Sequence, residues 1–323
     1  MKTEAMTIGI NSGGMKQMRR FNFRPFLTTI LGLSLMASAC GSSGGGSPAA
    51  TNRGTIVVGG FNFNESTILA NIYGKALEAK GYTVTFKTKL GNREIVQPAL
   101  SKGDIDLYPG YAATDLEFIN KGKGEATGDA QATTDKLNSY LGSIGAKALT
   151  PSPAIDANAF AVTKATADKY HLSKLSDLGA VASQLTLGGP PECPTRPYCQ
   201  AGLEKTYSAK FKAFKSLDPD GPLTRAALTG GQIDVGLVFS SDGDLDSRGY
   251  VVLQDDKHLE NADNVVPIVR SKVLNSEVTK LLNDVSAALN TNDLRAMNKS
   301  ADVDKQDPDV LAATWLKQHN FTK

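Results

Sequence analysis

The segment from Gly103 to Asp115 carries side chains that suit the binding of a small charged solute. It places Tyr108 and Tyr111 at the end of a short apolar strand and Thr114 at the start of the next segment. The face of an aromatic ring attracts a soft cation such as a quaternary ammonium group, and a hydroxyl group can hold a carboxylate oxygen. This combination predicts capture of a solute rather than catalysis.

A second group of interest is a proline-rich segment that contains two of the three cysteines of the chain. Cys193 directly follows Glu192, and Arg196 lies between Cys193 and Cys199. In an oxidising compartment, cysteines this close predict a local disulfide. A zinc site would need two further ligands, and the three histidines are distant in sequence. The bond would fix the shape of the loop that carries Glu192 and Arg196.

The N-terminus predicts export. Residues 1–39 combine a basic start, a short apolar run and small residues, as secretory signals do. Cys40 follows Ala-Ser-Ala and is typical of a lipoprotein; ordinary cleavage nearby, which leaves a free protein, is the alternative. Gly and Ser dominate the next residues and predict a flexible tether over 40–53. We expect an extracytoplasmic protein anchored to the outer face of the cell membrane through lipid on Cys40.

Charge and motifs narrow the class of protein further. Without residues 1–39 the chain has 30 basic and 32 acidic residues, so no strong positive field favours nucleic acid. The sequence contains no Gly-x-Ser-x-Gly elbow, no His-Glu-x-x-His and no Gly-Lys-Ser/Thr motif, which favours a binding protein over an enzyme. Asp242, Asp244 and Asp246 alternate along the chain but lack the Gly and Glu of a calcium loop, so we expect a solvated turn. We expect neither a metal nor a cofactor.

Short apolar strands alternate with helical segments, which predicts an α/β fold. Strands are expected at 55–59, 83–89, 105–108, 146–149, 159–163, 185–188, 211–217, 233–239 and 265–269. Helices are expected at 64–80, 94–100, 130–144, 165–170, 223–229, 276–289, 291–297 and 307–319. The layout predicts two α/β lobes joined by crossovers near 150–158 and 255–265. Lobe 1 comprises 54–155 and 263–323, and lobe 2 comprises 156–262.

From about residue 55 to residue 321, the chain resembles the substrate-binding proteins of osmoprotectant ABC importers, which bind glycine betaine, choline, carnitine and related compounds. The resemblance rests on the order and spacing of three motifs, Gly59–Ser66, Gly103–Thr114 and Gly230–Gly243. It implies a two-lobed periplasmic-binding-protein fold of type II, with the ligand in the interlobe cleft. It also implies a monomer that delivers its ligand to a permease and ATPase complex.

The resemblance assigns roles to four polar or aromatic side chains. Tyr111 matches a tyrosine of the aromatic cage that surrounds the ammonium group in this family. Thr114 matches a threonine that binds the ligand's carboxylate. Arg196, with Glu192 four residues earlier, matches a loop pair whose arginine takes the carboxylate.

Three phenylalanines mark departures from the family pattern. Phe160 and Phe239 fall where further cage tyrosines are usual, and Phe61 replaces a lysine often found in the first loop. A fourth cage tyrosine has no match in 255–264. A reduced cage leaves open an alternative function, a binding protein for another small solute such as an amino acid or an aromatic compound.

Overall fold

The computed structural model describes residues 53–261 and 263–323, without the side chain of Asp246. The predicted signal segment, the lipidation site at Cys40 and all but the last residue of the predicted tether lie outside the described residues. Within the described part of the chain, no helix is long and apolar enough to cross a membrane.

Strands and helices alternate through the described residues. The strands are β1 (Thr55–Gly59), β2 (Thr83–Lys87), β3 (Leu107–Tyr111), β4 (Ala146–Ala148), β5 (Asn158–Thr163), β6 (Thr186–Gly189), β7 (Ala213–Ser216), β8 (Val235–Phe239), β9 (Tyr250–Val252) and β10 (Val265–Arg270). The helices are α1 (Asn64–Ala79), α2 (Arg93–Lys102), α3 (Ala112–Ile119), α4 (Ala130–Leu141), α5 (Lys164–Tyr170), α6 (Leu178–Val181), α7 (Gln200–Tyr207), α8 (Pro222–Thr229), α9 (Ser276–Ala288), α10 (Thr291–Asp302) and α11 (Pro308–Gln318).

The strands form two sheets of similar design. The first has the order β2-β1-β3-β10-β4 and the second the order β7-β6-β8-β5-β9. In each sheet the first three strands are parallel, and a strand that follows a crossover runs antiparallel to its neighbours. Parallel neighbours need helical connections that cover the sheet faces, which explains the alternation of strands and helices in the sequence. The α/β prediction is confirmed.

Each sheet has its own hydrophobic core. Apolar side chains of α1, α9 and α11 cover the first sheet, and a separate cluster packs around β5, β6 and β8. The chain crosses from β4 to β5 and returns from β9 to β10, and Ile155 and Asn264 form a bridge where the crossovers run side by side. We call the parts around the first and second sheets lobe 1 and lobe 2; their boundary residues stay a prediction.

One strand whose bounds differ from the sequence prediction lies within the segment from Gly103 to Asp115. The strand expected at 105–108 is β3, at 107–111, so Tyr111 lies inside the sheet edge. Pro109 faces Pro267 in β10, so two residues without an N–H share one position of the ladder. Helix α3 follows without a linker, and the sequence prediction missed it because Pro109 and Gly110 suggest a turn.

Candidate functional site

A cavity of about 110 Å³ lies where the two lobes meet. Lobe 1 contributes the rings of Phe61, Phe63, Tyr111 and Phe118, and lobe 2 contributes those of Tyr198 and Phe239. Each crossover contributes one carboxylate, Asp156 on the first and Asp263 on the second. The cavity therefore joins aromatic surface to acidic side chains, and both lobes are needed to form it.

Tyr111 is held in place by hydrogen bonds at both its backbone and its hydroxyl. Its N–H donates to Asp115 Oδ2 at 2.8 Å, and its hydroxyl donates to Glu65 Oε1 at 2.7 Å. Burial, together with the nearby Glu65 and Asp156 carboxylates, raises the pKa of Tyr111 well above its usual range. Tyr111 therefore presents a neutral ring whose hydroxyl proton is already donated.

The rings at the cavity pack against one another. Phe63 lies 5.8 Å from Phe61, 6.3 Å from Tyr111 and 5.3 Å from Phe239, measured between ring centroids. The contact between Phe63 and Phe239 joins lobe 1 to lobe 2. Aromatic pairs at these separations attract each other beyond simple area burial, which stabilises the contact between the lobes.

Thr114 lies in the first turn of α3, next to the second crossover. Its backbone N–H donates to Asp263 Oδ1 at 3.0 Å, and its hydroxyl donates to Asp263 Oδ2. A carboxylate at this position also suits the positive end of the helix. Burial raises the pKa of Asp263 to about 6, although the bonds from Thr114 oppose the rise. The hydroxyl predicted to hold a ligand carboxylate is thus bonded to a carboxylate of the protein.

The predicted disulfide between Cys193 and Cys199 is present and shapes the loop that lines one side of the cavity. From this loop, Arg196 reaches across to lobe 1, where its Nη2 lies 2.5 Å from Glu94 Oε1. The guanidinium group also lies 4.9 Å from the ring centroid of Phe118. Arg196 therefore bridges the lobes at the cavity.

Glu192 lines the cavity beside this loop, and none of the ion pairs within the described residues includes it. The ion-pair partner of Arg196 is Glu94, and Glu192 acts on the guanidinium group only from a greater distance. The roles of Glu192 and Arg196 toward a ligand stay predictions.

Arg93 is a cavity residue that the sequence prediction missed. Its Nε donates to Asp115 Oδ1 at 2.9 Å, and its guanidinium group lies 5.0 Å from the centroid of the Phe61 ring. A cation held at this distance is attracted by the ring face. With Arg196 over Phe118, the cavity lining therefore contains two guanidinium groups that rest on aromatic rings.

Phe160 is the one predicted cage residue that the structure places away from the cavity. Its side chain is only 1% exposed and packs in the core of lobe 2. Asn158, two residues earlier on the same face of β5, lines the cavity instead. The prediction was wrong because the sequence shows which face of a strand is apolar, but not how far along that face the core extends.

Tyr111, Thr114, Glu192, Arg196, Phe239 and Phe61 all line the cavity, as the sequence prediction requires. Phe63, Phe118 and Tyr198 also line it and were missed. The alternation Phe61-Asn-Phe63 was a usable signal for Phe63, since residues two apart in an extended segment share a face. Tyr198 could have been found as well, since it lies between Cys193 and Cys199 in the loop that carries Arg196.

The chain is similar to known transport proteins over most of its length. The family model described as the substrate binding domain of ABC-type glycine betaine transport systems matches residues 54–318. The glycine betaine-binding protein YehZ of Escherichia coli is 28% identical over 271 residues, which cover 80% of this chain and 88% of that protein. The carnitine transport binding protein OpuCC of Listeria monocytogenes is 26% identical over 309 residues, covering 92% of this chain and 96% of that protein.

A solved structure gives the same picture for the fold. The crystal structure titled glycine betaine/carnitine/choline ABC transporter aligns with a TM-score of 0.64 at 25% identity, covering 82% of this chain and 99% of that chain. The matched family is described by substrate binding in a transport system and not by a catalysed reaction. The family match spans both lobes described above and the cavity that they share. The chain belongs to the family of substrate-binding domains of ABC-type glycine betaine transport systems.

Proposed function

We propose that the protein captures a quaternary-ammonium osmoprotectant, such as glycine betaine, choline or carnitine, in the interlobe cavity and delivers it to an ABC importer. The observation that carries the proposal is the convergence of six aromatic rings and three buried carboxylates, those of Glu117, Asp156 and Asp263, on one small cavity. The names of two similar proteins, a glycine betaine-binding protein and a carnitine transport binding protein, agree with this chemistry.

A quaternary ammonium group suits this cavity because of how it is solvated. It cannot donate an N–H hydrogen bond, and its methyl groups spread the positive charge over an apolar surface. Ring faces can replace the water that it loses, at about 0.5–2 kcal/mol for each well-placed ring. Tyr111, Phe63 and Phe239 would together supply a few kcal/mol, a large share for a small ligand.

Binding between the lobes gives the importer a signal. A ligand that contacts Tyr111 in lobe 1 and Phe239 in lobe 2 favours the closed arrangement, since only that arrangement offers both contacts. The contacts of Arg196 with Glu94 and Phe118 would add to closure. We propose that the permease and ATPase complex recognises the closed monomer.

The location that we propose for the protein, outside the cytoplasm, rests on its disulfide and on its N-terminal sequence. The disulfide between Cys193 and Cys199 suits an oxidising compartment outside the cytoplasm. Lipid on Cys40 and a tether over 40–53 would hold the binding domain at the outer face of the membrane, close to its permease.

The proposal is tested by calorimetric titration of the purified protein with choline, glycine betaine and carnitine. We expect saturable binding of at least one of them with one site per chain. Proline, histidine and tryptophan serve as controls for the alternative of an amino-acid or aromatic solute. Tighter binding of a control than of every quaternary ammonium compound would contradict the proposal and favour that alternative.

A further inference from the structure

We propose that the cavity selects a cation that carries no carboxylate, so that choline binds more tightly than glycine betaine or carnitine. This inference rests on the proposed function and narrows its ligand class. Its basis is an imbalance at the cavity. Two carboxylates of the protein line the cavity and take part in no ion pair within the described residues, while four side chains suited to a ligand carboxylate each bond a carboxylate of the protein.

The acidic side of the imbalance comes from the two crossovers. Asp156 is 5% exposed and Asp263 is 3% exposed, and both line the cavity. Asp156 accepts a hydrogen bond from Ser241 Oγ at 2.8 Å, and Asp263 accepts its bonds from Thr114. Across residues 53–261 and 263–323, no ion pair includes either aspartate. The Arg93 guanidinium favours the ionised form of Asp263 from beyond ion-pair distance, but burial still raises the pKa of that carboxyl, so a bound cation would stabilise both aspartates.

Glu65 adds a third carboxyl group behind the cavity. It is 3% exposed and accepts hydrogen bonds from the Tyr111 hydroxyl at 2.7 Å and from Asn298 Nδ2 at 2.6 Å. Burial raises the pKa of Asp156, and the nearby Glu65 raises it further. A cation placed against the Tyr111 ring would favour the ionised forms of both groups.

The donor side of the imbalance concerns the groups that hold carboxylates in binding sites of this kind. Four such groups line the cavity, and each is bonded to an acidic residue: Tyr111 to Glu65, Thr114 to Asp263, Arg93 to Asp115, and Arg196 to Glu94. Arg93 and Arg196 each use one N–H group in these bonds, so a ligand carboxylate would share its donors with a carboxylate of the protein. It would also lie near Asp156 and Asp263, and like charges brought together at a binding site oppose binding.

The ligand that fits this arrangement carries a cation at one end and a neutral polar group at the other. The amides of Asn62 and Asn92 also line the cavity. A primary amide can donate to a hydroxyl group or accept from it, so it needs no charge on its partner. Choline has a trimethylammonium group and a hydroxyl group, whereas glycine betaine has a carboxylate in place of the hydroxyl.

The first test compares the dissociation constants of the unmodified protein for choline and glycine betaine at neutral pH, measured by calorimetry. We expect the constant for choline to be at least about tenfold lower, the size of one avoided charge conflict. Equal binding, or tighter binding of glycine betaine, would overturn the inference and leave the proposed function intact. Binding of neither compound would overturn this inference, and the proposed function falls with it if carnitine also fails to bind.

The second test changes the charge of the cavity with little change of shape. Asp263→Asn keeps an oxygen that can accept from the Thr114 N–H, and Asp156→Asn serves as a second variant should the first fail to fold. We expect each change to weaken choline binding at least about tenfold and to reduce the preference for choline over glycine betaine. Asp304→Asn removes the same charge from an exposed position and should change neither. An unchanged preference in folded Asp263→Asn and Asp156→Asn proteins would refute the inference.

Discussion

Replacing Arg225 by methionine is expected to lower the free energy of unfolding by about 3–5 kcal/mol, because the change leaves buried carboxylates without their cation. The guanidinium group is 8% exposed and lies 2.9 Å from Asp242, 3.4 Å from Asp220 and 3.6 Å from Asp302. Asp244 lies 4.0 Å away on the remaining side. Methionine fills much of the same volume, so the loss would reflect charge rather than packing.

The same cluster connects stability with the binding site. Asp220 accepts a hydrogen bond from the backbone N–H of Phe239 at 3.1 Å, and Phe239 is one of the cavity rings. Arg225 belongs to α8 in lobe 2 and Asp302 to α10 in lobe 1, so the cluster also joins the lobes. We therefore expect weaker ligand binding in the variant as well as lower stability.

Urea denaturation followed by circular dichroism measures the effect. Arg53→Met provides a control, because Arg53 pairs with Glu277 and both side chains are more than a third exposed. Ion pairs exposed to this degree contribute about 0–1 kcal/mol. A loss for Arg225→Met no larger than that of Arg53→Met would show that the buried cluster does not depend on its arginine.

Replacing Tyr111 by alanine is expected to weaken quaternary-ammonium binding at least about tenfold, the scale of one good contact between a cation and a ring. The change removes the ring and also the hydroxyl that donates to the buried Glu65. Removal of a buried aromatic side chain typically lowers stability by about 3–5 kcal/mol as well. Calorimetric titration at a temperature where the variant is folded separates binding from stability.

Two further variants assign the effect to the ring. Tyr111→Phe keeps the ring but lacks the hydroxyl, so we expect it to bind more tightly than Tyr111→Ala. Tyr170→Ala removes a ring from α5 in lobe 2, outside the cavity, and should leave the dissociation constant unchanged. If Tyr111→Ala binds as well as the unmodified protein, the ring has no part in ligand capture.

The sequence predicted most elements of this fold because each lobe repeats a simple pattern of apolar strands and amphipathic helices, but it missed α3, α6, α7 and β9. The predicted bounds of an element were wrong where a local sequence signal conflicts with the long-range pairing of strands. Pro109 and Gly110 suggest a turn, yet they lie within β3 because the neighbouring strand β10 has a proline at the matching position. Such a match between residues distant in sequence is not visible from local patterns.

The binding site was predicted by residue type, but its charge pattern was not. The expected solvated turn at Asp242 and Asp244 is wrong, since both are buried around Arg225. Likewise, the crossovers were placed near Asp156 and Asp263, but nothing in the sequence shows that these two carboxylates meet at one cavity. Ion pairs and buried acids depend on long-range packing, which the spacing of residues along the chain does not report.

A crystal structure of the protein with choline would test the central claim most directly. We expect the ligand nitrogen between the lobes, within about 6 Å of the ring centroids of Tyr111 and Phe239 and facing Asp156 and Asp263. A choline molecule bound outside this cavity, with both rings still packed against Phe63, would contradict the account.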